Sequence, residues 1–214
     1  MSKAAVTMNE IKSYTDCMVA LKSRYAAICR TTAKPREQAT IEDVQFVCLQ
    51  FRMIVELIAL ASLCANKTEY ANQHAKFASH WNAKRIFNDL EHINPRFYPA
   101  PMVQIRDPIT GKPTGTSPMT GPYLTKDDAI RLYEDCSSML HSRNPYAPQV
   151  DVTAIVKQFG VWAANIKSLL GHHQVQLINA DEHLLVIMES LQGQVQVTLW
   201  EKVLAPPPPV PPVQ

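Results

Sequence analysis

The chain has 214 residues, 46% of them hydrophobic and 19% charged, with 21 basic against 19 acidic groups and a net charge of +2. This composition excludes a disordered chain and a collagen-like one, and a chain of this length buries about 70% of its open surface, so no disulfide or metal is needed to hold a core. So small a net charge provides no global field that would by itself select a polyanionic partner.

From Met8 the apolar residues Ile11, Tyr14, Met18, Leu21, Tyr25 and Ile28 recur every three or four positions, which predicts an amphipathic helix closed by Lys34 and Pro35. Thr40 with Asp43 three residues on is a capping start, and residues 41–65 then form a helix apolar nearly all round, the expected centre of the core. The run Phe46 to Ala65 is broken by Gln50, Arg52 and Glu56, so it suits a core helix better than a membrane span. A third helix is predicted over about 68–93 and stops at Asn94 before Pro95.

Residues 94–124 are proline-rich, hold three of the six glycines and read as a long irregular insertion, in which Asp107 to Gly115 is placed to close a small hairpin. Thr125 and Asp128 open a fourth helix that runs to about Ser142. Asp151 caps a fifth, which ends at Gly171. The period then changes to two, and residues 174–178, 183–189 and 194–203 read as a three-stranded antiparallel meander. In its last strand Val195, Val197 and Leu199 alternate with Gln196, Thr198 and Trp200, so one face should pack on the helices. Residues 205–214, APPPPVPPVQ, form a polyproline-type tract outside the core.

The expected fold is therefore mainly α: a five-helix bundle with a long proline-rich insertion and a small C-terminal antiparallel β-meander. Its parts are a helical-bundle domain over residues 1–171 with the insertion at 94–124, the meander over 172–204 packed on the bundle, and the proline-rich tail over 205–214. The five cysteines are odd in number, lack any CxxC pair and sit in helical patterns, which suggests buried free thiols and a reducing cytoplasmic setting.

Charge is uneven along the chain, with 7 basic and 3 acidic groups in residues 1–39 and 1 basic and 4 acidic in residues 172–214. A basic end of this kind faces RNA, presents a solvated helix face or matches the acidic end of a second chain. Arg52 and Glu56 lie four apart on the most apolar helix, where a buried charge must be paired; they form a structural ion pair or stand on a pocket wall or dimer surface. Arg96, Tyr98 and Arg106 in the insertion combine basic and aromatic groups of the kind that stack on bases and touch phosphates, or else pack the insertion on the bundle. Residues 136–146, CSSMLHSRNPY, place Ser137, His141 and Arg143 at the frayed end of a helix. There the macrodipole favours protonated His141, as an acid–base group or as a plain C-terminal cap. His172, His173 and His183 flank the first strand without a metal-binding order. No HExxH, GxSxG or phosphate-loop sequence is present, so no cofactor or metal is expected.

The long helix with FRMIVELIALASL at 51–63, followed much later by a helix ending SSMLH at 137–141 and an Asn-Pro, resembles the HEPN superfamily of helical bundles over about residues 8–171. The resemblance implies a module that dimerises and acts on RNA, with members in defence or toxin–antitoxin systems. Many are metal-independent RNases in which an Arg and a His near the end of a late helix assist attack of a 2′-hydroxyl. Here the positions where that arginine would precede His141 hold Glu134, Asp135 and Cys136, and only Arg143 on the other side is available. The leading expectation is thus a cytoplasmic HEPN-like module that self-associates as a homodimer and binds RNA or a protein partner, with no membrane and with catalysis disfavoured. If it is an enzyme, the resemblance implies a metal-independent ribonuclease using His141 and Arg143. The alternative from another class is a structural or adaptor protein that recruits partners through the meander edge and the proline tail.

Overall fold

The computed structural model describes residues 6–35, 38–73, 82–141, 146, 151–178, 182–190 and 192–201. Helix α1 (Met8–Thr32) begins where the Thr7 hydroxyl accepts the Glu10 N–H and the Glu10 carboxylate accepts the Thr7 N–H at 2.7 Å. Helix α2 (Ile41–Ala65) begins on the same reciprocal device, with Thr40 and Asp43. Each box satisfies donors that the first helical turn leaves unpaired. Helix α2 is the hub: it packs along α1 and α5, and its Phe51 meets Phe159 and Trp162 of α6 with ring centroids 5.6 and 5.5 Å away. By length and composition α2 is apolar enough to cross a membrane; 61% of its most apolar window is buried inside this fold.

The expectation of five helices and a small meander is corrected on both counts. The described residues contain six helices, because the stretch expected as one helix holds two, α3 (Lys67–Gln73) and α4 (Ala83–Ile93). Asn82 takes an extended conformation and its side chain accepts the Arg85 N–H at 3.0 Å, so α4 starts from its own N-cap. The last two helices, α5 (Lys126–Leu140) and α6 (Val152–Leu170), start at Thr125 and Asp151 as expected.

Among the described residues the sheet has five strands. The insertion is not irregular: it forms β1 (Ala100–Arg106) and β2 (Pro113–Pro118), a hairpin that joins β3 (His172–Gln176), β4 (Glu182–Ile187) and β5 (Gln196–Glu201) in the antiparallel order β2-β1-β3-β4-β5. Its turn is built by Asp107, whose carboxylate accepts the N–H groups of Ile109 and Thr110 at 3.0 and 2.6 Å, and by Gly111 at φ +66°. Strand β1 pairs with β3 only through Ala100–Gln174 and Pro101–His173, then continues beside β2 as a separate ribbon. This short seam lets the sheet curl.

The inner face of the sheet carries Val175, Leu184 and Val186, all fully buried on the helices, with Val197 and Leu199 packed beside them. Two polar clasps fix it there. Asn94 donates to Asn66 Oδ1 at 3.0 Å and to the Gln176 carbonyl at 2.8 Å, tying the ends of α2 and α4 to β3. Buried His173 bonds Leu170 O through Nδ1 at 2.9 Å and the Tyr14 hydroxyl through Nε2 at 2.8 Å. A carbonyl only accepts, so Nδ1 carries the proton and Nε2 accepts from Tyr14.

Candidate functional site

Alternation along three strands leaves a second face turned away from the helices. Register sets it out in rows: Gln176–His183–Trp200, Gln174–Leu185–Thr198 and His172–Ile187–Gln196. The hairpin stands over one side of this face with Gln104, Pro113, Thr114 and Thr116, and the meander forms the other. Between them runs a trough with a volume of about 670 Å3, lined by amides, hydroxyls, imidazoles, aliphatic groups and the Trp200 indole, with no carboxylate, ammonium or guanidinium among the described residues. A further stretch of about 920 Å3 shares Gln104, Pro113, His172, Ile187 and Gln196 with it and reaches Arg106 and Glu189, one charge of each sign. Volumes of this size suit an organic ligand or a short run of extended chain.

The side chains of the trough are poorly satisfied within the fold. Trp200 is 56% exposed. Nε2 of His172 is buried and has no hydrogen-bond partner among the described residues, and burial holds this imidazole below its ordinary pKa, favouring the neutral form. Among the described residues the trough thus offers hydrogen-bond donors and a flat aromatic face without a carboxylate, ammonium or guanidinium.

The sequence-predicted residues fall into separate places. Arg52 and Glu56 of α2 meet the Tyr133 side chain of α5, while Ser137 bonds only the backbone of its own helix. Arg52 Nε lies 3.2 Å from Glu56 Oε1, its guanidinium stands 5.0 Å from the Tyr133 ring centroid, and the Tyr133 hydroxyl donates to Glu56 at 3.3 Å. Burial pulls the Arg52 pKa down, but Glu56 and Tyr133 outweigh it and leave it above its ordinary value. Ser137 Oγ donates to the Tyr133 carbonyl at 2.6 Å. The arrangement is a half-buried ion pair locking two helices, with every partner supplied from within.

His141 is exposed, in extended backbone at the C-terminus of α5, and makes no hydrogen bond with a described residue. The carbonyl of Met139 there is served instead by Gln45 Nε2 of α2 at 3.3 Å. Arg143 and residues 205–214 lie outside the described residues. Tyr98 packs edge-on against Phe87 and Phe97, and its hydroxyl donates to Leu124 O at 3.1 Å, so it anchors the start of β1 on α4. Arg96 and Tyr98 line a crevice of about 470 Å3 that meets the trough at Gln174 and His183. Arg106 is held in the hairpin, donating to Gly111 O at 2.9 Å. Of the predicted residues, Arg96, Tyr98 and Arg106 therefore border the trough, and Arg52, Glu56, Ser137 and His141 do not.

The histidines divide by strand alternation: His172 and His183 face outward and His173 inward, and among the described residues no three His, Cys, Asp or Glu gather as metal ligands. All five cysteines are free, but only Cys48 and Cys136 are buried; Cys17 and Cys64 are half-buried and Cys29 is exposed. Four of them form two thiol contacts. Hydrogen bonding to Cys64 pushes Cys17 up and draws Cys64 down, while Cys48 is held low and Cys136 high by the same relation across α2 and α5. Sequence reasoning missed the trough residues as a set, although the outward alternation of Gln196, Thr198 and Trp200 was the signal for one wall. Compared with known proteins, the chain matches no family model, no curated protein and no solved structure.

Proposed function

We propose that the protein is an adaptor-type binding module that takes an extended, proline-rich segment of a protein partner in the trough of its curled sheet. One observation carries this reading: among the described residues the floor holds no carboxylate, ammonium or guanidinium, is rich in hydrogen-bond donors and is flanked by the exposed Trp200 indole. A proline-rich segment offers carbonyl acceptors with few N–H groups, has a preformed extended shape, and binds aromatic-lined grooves at low entropic cost. RNA binding asks for something else, a line of cations along the backbone track. Arg96 and Arg106 stand at opposite borders of the trough, and Lys126 beside Arg96 is engaged by Glu91 at 2.5 Å.

The test is a titration of the full chain with a ten-residue proline-rich peptide and, separately, with a ten-nucleotide single-stranded RNA, each at about 50 and 200 mM salt. Saturable peptide binding that changes little with salt and falls at least about tenfold in Trp200→Ala is expected. Salt-sensitive RNA binding without peptide binding would overturn the adaptor reading in favour of the HEPN-like RNA module.

A further inference from the structure

The outward residues of β5, Gln196, Thr198 and Trp200, are themselves a wall of the trough, and the proline tract begins only five positions after Trp200. Three residues, 202–204, separate the end of β5 at Glu201 from the tract, enough for one reverse turn. Extended as polyproline II, the eight residues PPPPVPPV span about 25 Å at about 3.1 Å each, against roughly 14 Å from Gln196 to Trp200. The chemistry agrees with the geometry. Within 205–214 eight of the ten side chains are proline or valine and none is charged, and the described residues of the trough floor carry no carboxylate, ammonium or guanidinium either. The six prolines supply carbonyl acceptors and no N–H, while the amides of Gln174 and Gln196 and the indole N–H of Trp200 have no hydrogen-bond partner among the described residues.

We propose that residues 205–214 fold back within the same chain and occupy the trough, so that the protein carries a built-in competitor for its own binding site. This rests on the reading of the trough as a site for proline-rich segments, and it adds a regulation: a partner must displace the tail, or the tail must be drawn away, before the site opens. A tethered segment reaches an effective concentration of order millimolar, so one that binds with a Kd of order 0.1 mM fills the site about nine-tenths of the time and weakens a competing peptide about tenfold.

The experiment compares the full chain with a full-length variant carrying Pro207→Ser, Pro208→Ser and Pro211→Ser. The readout is the Trp200 indole N–H resonance, identified by its loss in Trp200→Phe, together with the affinity of a free peptide of sequence APPPPVPPVQ. Expected are a shifted Trp200 resonance in the tail variant, unchanged over a tenfold dilution of either protein, and peptide binding about tenfold tighter to the variant than to the natural chain. Equal affinity and an unmoved resonance overturn the tail as occupant while the trough still binds peptide. A Trp200 resonance that depends on protein concentration overturns placement within one chain. Peptide binding to neither protein refutes the trough reading itself, and so separates that failure from the tail's.

Discussion

Lowering the pH from 7.5 to 5 should weaken the fold by about 2 kcal/mol through His173 alone. The imidazole is fully buried, donates from Nδ1 to Leu170 O and accepts at Nε2 from Tyr14, so a second proton has neither solvent nor an acceptor to receive it. Burial is the main cause that pushes its pKa down to about 4, from the 6.5 of the free side chain. The unfolded chain therefore binds the proton first as the pH falls. Stability from this group is complete above about pH 6.5, declines as the pH drops toward 4 and levels off below, with a total near 3 kcal/mol and a slope approaching about 1.4 kcal/mol per pH unit between. The carboxylates held low by hydrogen bonds, Asp43, Asp107 and Asp128, titrate below this window, whereas Asp135, held up by burial, takes its proton in the folded state first and adds a slope of opposite sign that His173→Gln leaves in place. His172 is also held low by burial and adds a smaller slope of the same sign. Urea unfolding followed by circular dichroism at half-unit steps from pH 7.5 to 4.5 measures the slope, in the natural chain and in His173→Gln, which keeps an uncharged donor and acceptor. The variant should be less stable at pH 7.5 and lose most of the slope. An undiminished slope in His173→Gln would refute the buried, neutral histidine as its source.

Arg52→Met should lower stability by about 1–2 kcal/mol, and in a double-mutant cycle with Tyr133→Phe the two should couple by about 0.5–1 kcal/mol, as expected for a ring-stacked ion pair sharing one hydroxyl. Equilibrium unfolding of the four proteins gives both quantities. Reaction with a thiol reagent in native buffer should modify Cys29 first and Cys17 and Cys64 slowly, with Cys48 and Cys136 becoming available only in denaturant; peptide mapping of partly modified protein reports the order. Asn82→Ala should cost about 1 kcal/mol, because α4 then begins without its cap. A change below about 0.3 kcal/mol would mean that α4 does not depend on a start of its own.

Local rules were written plainly in the sequence. Thr40 with Asp43, Thr125 and Asp151 all open helices where expected, and alternation from Val195 to Trp200 assigned the faces of β5 correctly. Asn82 was hidden because apolar spacing runs on through it, and a single amide cap is weaker as a signal than the periodicity around it. The hairpin's place in the sheet was hidden for a different reason. Its partner strand lies roughly 70 residues away, and a strand containing Pro101 lacks an N–H that a ladder normally uses. The Arg52–Glu56 pair was legible from its spacing, whereas Tyr133 on another helix was not. The trough arises from curl and from strand order, both tertiary properties, so its residues were visible only as the polar side of separate strands.

The two-pair seam between β1 and β3 also bears on how the chain is made. Hairpin and meander are each assembled from neighbouring sequence, but their union waits until both crossing helices and β3 exist. During synthesis at about 5–20 residues per second the free side of β1 would stand unpaired for roughly 4–15 s. The seam uses only Ala100 and Pro101, and Pro101 turns its missing N–H toward the hairpin, where its carbonyl accepts the Met119 N–H at 3.0 Å. The waiting edge thus keeps its own donors, and a seam of only two residues leaves a stray strand little to pair with before the edge's own partner arrives.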